Sequence, residues 1–322
     1  MGYEFKSPFA PDIEGFIGMK VQTGYKEGTY KAILADFDSF ALRHFPGDDV
    51  LTEEIYTRWR AFRPGEKGVT VKHRISKIRM FSHYQKLLGK DAYVVPDRDA
   101  PKTVRFLPFI YTDDELAGYF AAADTFAENH HTPEWEYVVP VILRVMFCCG
   151  LRPFEARLLL VSDMNLKDGL LTVRKSKFGK SRTIPMDESV RRLCARYDCL
   201  IRTRVPQRCW FFENPYGGPY GRKWLSRINK ACFMKAGIKP HMGRFPRPYD
   251  ARHTFVFHVI AKWSTTGIDV DRNLPFLSVY LGHEDTLQTE YYINILCPSV
   301  GIRSHMKWQE CPEVFNYDEE ND

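Results

Sequence analysis

No apolar run in this 322-residue chain approaches the roughly 20 residues that a membrane-spanning helix requires. A role within a membrane is therefore not expected. The opening stretch MGYEFKSPFAPDIEG carries acids early and has no apolar core, so no secretory signal is read there. Gly2 follows Met1, but Phe5 and Lys6 stand where a lipidation signal favours a small hydroxyl residue. The eight cysteines, at 148, 149, 194, 199, 209, 232, 297 and 311, include no CxxC pair. Reduced thiols in a cytoplasm are the expectation, with no zinc site and no other metal or cofactor. There is no internal repeat and no low-complexity segment. After Cys311 the tail PEVFNYDEEND lacks any base and has five acids. Subtracting those five charges from the net +6 leaves +11 on the first 311 residues. A basic body of that kind suggests a polyanionic partner. The acidic tail is either a solvated end or a segment that competes with DNA or touches a neighbouring subunit.

What is present reads mostly as helix. Residues 12 to 46 have apolar positions at three- and four-residue spacing: Tyr30, Ile33, Leu34, Phe37 and Phe40. A second helix is expected over 51–62 with Thr52 as its N-cap, and a third over 71–88. From Lys67 to Lys90 there are seven Lys or Arg and no acid. Like charges at helical spacing repel, so Lys72, Arg74, Lys77 and Arg79 are candidate DNA contacts rather than an ordinary solvated face. Residues 91–106 contain two prolines and no helical period, and read as a linker. The domains expected are therefore a helical unit over 1–100 and a second over 106–300, with a tail over 301–322. Thr112 and Glu115 form a capping-box pattern at the start of the second. Gly150 is placed to stop a long apolar helix. Residues 170–186, LLTVRKSKFGKSRTIPM, read as a β-hairpin with a basic turn. Helical patterns return after Pro185, near 222–236, and over 250–263.

The chemistry is carried by a short set of residues: Arg152 in GLRPFEAR, Arg252 in RPYDARHTF, His283 in LGH, and the pair Tyr291-Tyr292. Breaking a phosphodiester with an oxygen nucleophile requires neutralised phosphate oxygens, an activated nucleophile and a protonated leaving oxygen, all in line. A guanidinium fork binds two phosphate oxygens and keeps its charge. A tyrosine phenol can attack, and lysine or histidine can protonate the leaving 5′ oxygen. Two other patterns are set aside. Gly179-Lys180-Ser181 resembles the end of a phosphate-binding loop, but Arg174 occupies the place of its first glycine. The pairs Asp36/Asp38 and Asp269/Asp271 lack a third acid in any metal-nuclease pattern.

GLRPFEARLLL (150–160), KSKFGKSRTIPM (175–186), RPYDARHTF (247–255), LPFLSVYLGH (274–283) and TEYY (289–292) occur in the order found in the tyrosine recombinases, the phage and transposon integrases. The chain resembles that family over about 106–300. The resemblance implies a mainly α fold with a small antiparallel β-hairpin or sheet. It also implies a two-domain, C-shaped clamp built from a helical N-terminal core-binding domain and an integrase-type catalytic domain. Carried over by motif, Arg152 and Arg252 are the catalytic arginines, and Glu155 is an acid that buttresses them. His283 bonds the scissile phosphate, and Lys177 donates the proton, with Lys175 and Lys180 as rivals. The nine residues from His283 select Tyr292 over Tyr291 as nucleophile. One position departs from the family pattern: Tyr249 stands where a histidine is usual. A phenol titrates near 10, so it is a poor base at neutral pH. Tyr249 is expected to position the phosphate, and the activation of Tyr292 is left open.

The function implied is site-specific cleavage and rejoining of double-stranded DNA for a mobile element, through a 3′-phosphotyrosyl link that needs neither metal nor ATP. A homo-tetramer on paired sites, cytoplasmic and nucleoid-associated when bound, goes with it. The alternatives are a type IB topoisomerase and a non-catalytic DNA-binding regulator. The target site, the kind of element and any accessory proteins are not legible in the sequence.

Overall fold

The computed structural model describes residues 3–61, 63, 65–99, 101, 107–126, 134–174, 181–240 and 243–283. The fold is mainly α-helical, with one small three-stranded antiparallel sheet. The chain divides into two compact units, Met1–Phe106 and Leu107–Asp322.

The first unit holds α1 (Ala10–Gln22), α2 (Gly28–His44), α3 (Glu53–Arg60) and α4 (Gly68–Leu87). The single helical stretch expected over 12–46 is two helices, parted by a turn over 23–27. Thr52 caps α3 by accepting from the Ile55 N–H at 3.2 Å. The four helices bury one aromatic core, in which Phe9, Phe16, Phe37, Trp59 and Phe81 meet largely edge to face. Asp36 and Asp38 work inside this unit. Asp36 pairs with both Nη atoms of Arg63 at 2.9 and 2.8 Å. The fully buried Asp38 accepts from the Ser7 N–H at 2.9 Å and the Tyr3 hydroxyl at 2.8 Å.

The second unit opens on α5 (Asp113–Asp124), with the Thr112–Glu115 capping box formed at both of its hydrogen bonds. Next come the apolar α6 (Trp135–Cys148) and the short α7 (Pro153–Arg157). The sheet is β1 (Met164–Asn165), β2 (Leu170–Val173) and β3 (Arg182–Pro185), in the order β1-β2-β3. Leu171 pairs with Ile184 and Val173 with Arg182; the basic turn expected between them falls largely on 175–180, outside the described residues. Four helices follow among the described residues: α8 (Glu188–Arg204), α9 (Arg222–Lys235), α10 (Asp250–Thr265) and α11 (Val270–Leu281). Asp269 caps α11 by accepting from the Arg272 N–H at 3.0 Å, which accounts for one member of the second aspartate pair. Helices α5, α6, α8 and α9 share one large core. Val256, Phe257 and Ile260 of α10 share a smaller one with Leu277 and Leu281 of α11. The buried Thr254 ties α10 to the start of the unit by accepting from the Tyr111 N–H at 3.3 Å. No helix among the described residues is long and apolar enough to cross a membrane.

Candidate active site

Two glycine turns and one helix end bring the site together. Helix α6 stops at Gly150, whose φ of +57° is the left-handed region. A Cβ there would lie 2.5 Å from the Phe255 ring, so the close packing of α10 also requires glycine. The chain then turns directly into Arg152, the N-cap residue of α7. Helix α11 ends the same way at Gly282, with φ +66°, and the His283 N–H closes the turn onto the Ser278 carbonyl at 3.0 Å.

The last carbonyls of a helix have no partner within it. Here three consecutive ones are taken by three arginines from three other elements. Arg182 Nε donates to Tyr280 O at 2.8 Å, Arg252 Nη2 to Leu281 O at 2.7 Å, and Arg152 Nη2 to Gly282 O at 3.2 Å. The same three guanidiniums surround the buried Glu155. Arg152 Nη1 donates to Glu155 Oε1 at 2.8 Å. Arg182 reaches both carboxylate oxygens at 3.0 Å, and Arg252 Nη1 lies 3.8 Å from Oε2. Glu155 also accepts from the Arg152 backbone N–H at 2.8 Å. Burial works against its charge, yet Arg182 and then Arg152 and Arg252 outweigh burial and hold its pKa down at about 2.

Arg252 is fully buried and donates further to Gly150 O at 2.9 Å. Its Nη2 lies 3.1 Å from His283 Nε2. Burial, and then the positive charges of Arg252, Arg152 and Arg182, push the His283 pKa down to about 3. His283 is therefore neutral at pH 7. An imidazole that accepts at Nε2 carries its proton on Nδ1. For Arg152, burial opposes the charge, but Glu155 and a hydrogen bond to the Tyr249 phenol raise its pKa above the ordinary value. Tyr249 begins α10, with its ring 5.1 Å from the His253 ring. His253 is also neutral, its pKa pushed down to about 3 by burial and by Arg247 and Arg252.

Arg152, Tyr249, Arg252 and His283 are thus brought to one place around Glu155. Lys177 and Tyr292, with their rivals Lys175, Lys180 and Tyr291, lie outside the described residues. The residue that sequence reasoning missed is Arg182. Its signal was the strand period. Arg182 shares a face of β3 with the buried Ile184, opposite the buried Val173. An arginine on the apolar face of a half-buried strand implies a buried carboxylate to meet it.

Among the candidate DNA contacts of α4, the structure makes a correction. Arg74 is an internal residue: it donates to both oxygens of Glu66 at 2.7 Å and to Trp59 O at 3.0 Å, and it stacks 4.7 Å from the Trp59 ring. Arg79 is ion-paired with Asp97. Lys86 pairs with Asp91, and Lys90 with Asp12 and Asp49. The acids absent from the segment itself come from its flanks and from other helices, so an unbalanced charge run does not describe the folded helix. Lys72 is exposed, and half-buried Lys77 lies over the Tyr30 ring at 4.5 Å. These two stay available to an anion.

Among the described residues, three positive side chains stand against one carboxylate, with a neutral imidazole beside them, in a mostly buried setting. Such a setting calls for an anion. Residues 119–296 match the phage integrase family. The chain belongs to the phage integrase family. This tyrosine recombinase is similar along most of its length to the putative integrase/recombinase y4rB of Sinorhizobium fredii, at 26% identity over 306 residues, covering 89% of this chain and 93% of that protein. It is 25% identical over 237 residues to the tyrosine recombinase XerD of Staphylococcus epidermidis, covering 72% and 73% of the two chains. In fold it resembles the XerH site-specific recombinase bound to palindromic difH substrate, with a TM-score of 0.65 at 16% identity over 86% of this chain and 80% of that one.

Proposed function

We propose that this tyrosine recombinase cleaves and rejoins duplex DNA at specific sites through a 3′-phosphotyrosyl intermediate, in the service of a mobile element. The observation that carries the reading is the convergence of Arg152, Arg182 and Arg252 on one carboxylate, with more guanidiniums than carboxylates among the described residues. A scissile phosphate supplies the missing negative charge. Arg152 and Arg252 neutralise its non-bridging oxygens. The neutral His283 gives up its contact with Arg252 and hydrogen-bonds the phosphate, and the Tyr249 hydroxyl donates a second bond. Tyr292 attacks phosphorus, and Lys177 protonates the departing 5′ oxygen. The phosphotyrosyl link keeps the bond energy, so a 5′ hydroxyl of a partner duplex can reverse the step without ATP or a metal. Two duplexes exchanging strands need four protomers, hence a homo-tetramer on paired sites, acting in the cytoplasm on nucleoid DNA. Lys72 and Lys77 of the first unit add contacts to the DNA backbone.

The experiment is covalent trapping. The enzyme is incubated with a pool of nicked duplexes carrying a randomised centre, and adducts that survive detergent are isolated and sequenced. A discrete DNA motif linked to Tyr292, with the adduct lost in Tyr292→Phe while DNA binding is kept, is the expected result. Adduct formation by Tyr292→Phe, or none by the unaltered chain, rejects the reading.

A further inference from the structure

We infer that Arg182 is a positioning residue of the cleavage site: it locks Glu155 to the end of α11 so that Arg152, Arg252 and His283 converge on one phosphate. The inference rests on the reaction proposed above. Arg182 engages the carboxylate and the helix end with all three of its guanidinium nitrogens. Its two Nη atoms take both oxygens of Glu155 at 3.0 Å, and its Nε takes Tyr280 O at 2.8 Å. Arg152 Nη1 and Nη2 reach Glu155 and Gly282 O, and Arg252 Nη2 reaches Leu281 O. Arg182 also packs against the turn that presents His283. A Cβ added to Gly282 would lie 3.0 Å from Arg182 Nη1, so the guanidinium would have to give way to any side chain there. Its backbone is placed by the sheet, where Arg182 pairs with Val173 at the end of the β2–β3 ladder. The segment that bears Lys177 runs between those two residues in the sequence. One guanidinium therefore ties together the foot of the hairpin, the buttressing carboxylate and the helix end that carries His283. A lysine could hold only one of these acceptors at a time.

An ion pair that merely stabilised the fold would change melting and nothing else. A positioning residue changes the chemical step, since a displacement of about 1 Å costs on the order of a hundredfold in rate. The probe is a nicked duplex selected by covalent trapping with the unaltered full chain. Folding is followed by circular dichroism, binding by gel shift, and the chemical step by single-turnover adduct formation at saturating DNA. Arg182→Ala is expected to form adduct about a hundredfold more slowly with DNA affinity within a few-fold of normal. Millimolar free guanidinium should restore part of the rate. Burial pushes the Glu155 carboxyl up, and Arg182 is the largest influence opposing it. The acid limb of the rate profile should therefore move to higher pH in the variant. Arg182→Lys keeps the charge without the fork and is expected to recover only part of the rate, which keeps the test decisive if the alanine variant does not fold. A folded Arg182→Ala or Arg182→Lys that cleaves at the normal rate with an unmoved acid limb overturns the inference, while the reaction itself stands if Tyr292→Phe forms no adduct. Adduct formation by Tyr292→Phe fells the reaction, and the role of Arg182 with it.

Discussion

Replacing Glu155 by glutamine removes the carboxylate at the centre of the cluster without changing its shape. The folded protein holds this carboxyl at about 2, against an ordinary value of 4.5. That difference corresponds to roughly 3 kcal/mol in favour of the ionised form. The side chain is buried, so solvent does not screen the effect. The amide adds to the loss, because its NH2 would point donors at guanidinium donors. A buried ion pair broken from one side typically costs about 3–5 kcal/mol. Glu155→Gln is therefore expected to be about 3–5 kcal/mol less stable at pH 7, read from urea unfolding of the full chain with the tryptophan signal. The sign of the pH dependence follows from the depressed pKa. The contribution is fully present above roughly pH 5, falls to about half near pH 3, and vanishes as pH drops through the folded value. The stability gap between the two proteins must close over that same window. A gap below about 1 kcal/mol at pH 7, or one that stays constant down to pH 2, would refute the charge accounting of the site.

Lys72 and Arg74 are separated by two positions and should respond in opposite ways. Lys72→Ala is expected to leave stability within about 0.5 kcal/mol and to lower the salt slope of DNA binding by about one. Arg74→Ala strands the buried Glu66 and should cost about 3–5 kcal/mol of stability, with no change in the salt slope of the folded protein; the reverse pattern in titrations at several salt concentrations would overturn the assignment. The imidazoles of His283 and His253, with pKa values pushed down to about 3, should show no protonation above roughly pH 5 in an NMR titration. A midpoint above about 6 for His283 would mean that the arginines do not act on it as described.

Much of this architecture is legible in the sequence because its signals are local. The Thr112–Glu115 capping box, the Thr52 cap, the glycine stop at 150 and the hairpin over 170–186 each depend on residues within a few positions of one another. The gathering of Arg152, Arg252, His283 and Tyr249 is legible only through motif order, since 130 residues separate Arg152 from the Gly282 carbonyl it binds. Charge partners were the least legible feature. The bases over 67–90 have no acids in their own segment, and nothing in it announces that distant Asp12 and Asp49 will meet Lys90, or that flanking Asp91 and Asp97 will fold back onto Lys86 and Arg79. Arg182 was hidden for a related reason. It stands among the bases of the hairpin, and only its place on the inward face of β3 separates it from residues meant for solvent or for DNA.

The end of α11 explains why the site is made of arginines. Successive carbonyls at a helix terminus are spaced by covalent geometry and carry the negative end of the helix dipole. Tyr280, Leu281 and Gly282 present theirs to Arg182, Arg252 and Arg152 in turn. Each of these side chains must also meet Glu155, and the planar guanidinium meets both demands with different nitrogens. Three like charges would otherwise drive one another apart. Held between a carboxylate and a helix end, they are compensated enough to stay together and too little to be neutral. In the proposed reaction that charge, fixed before any ligand arrives, would favour the pentacoordinate phosphorus of the transition state over the ground-state diester, because the former carries more negative charge on its equatorial oxygens. Gly282 serves the same arrangement: its φ of +66° suits glycine, and a side chain there would press on Arg182.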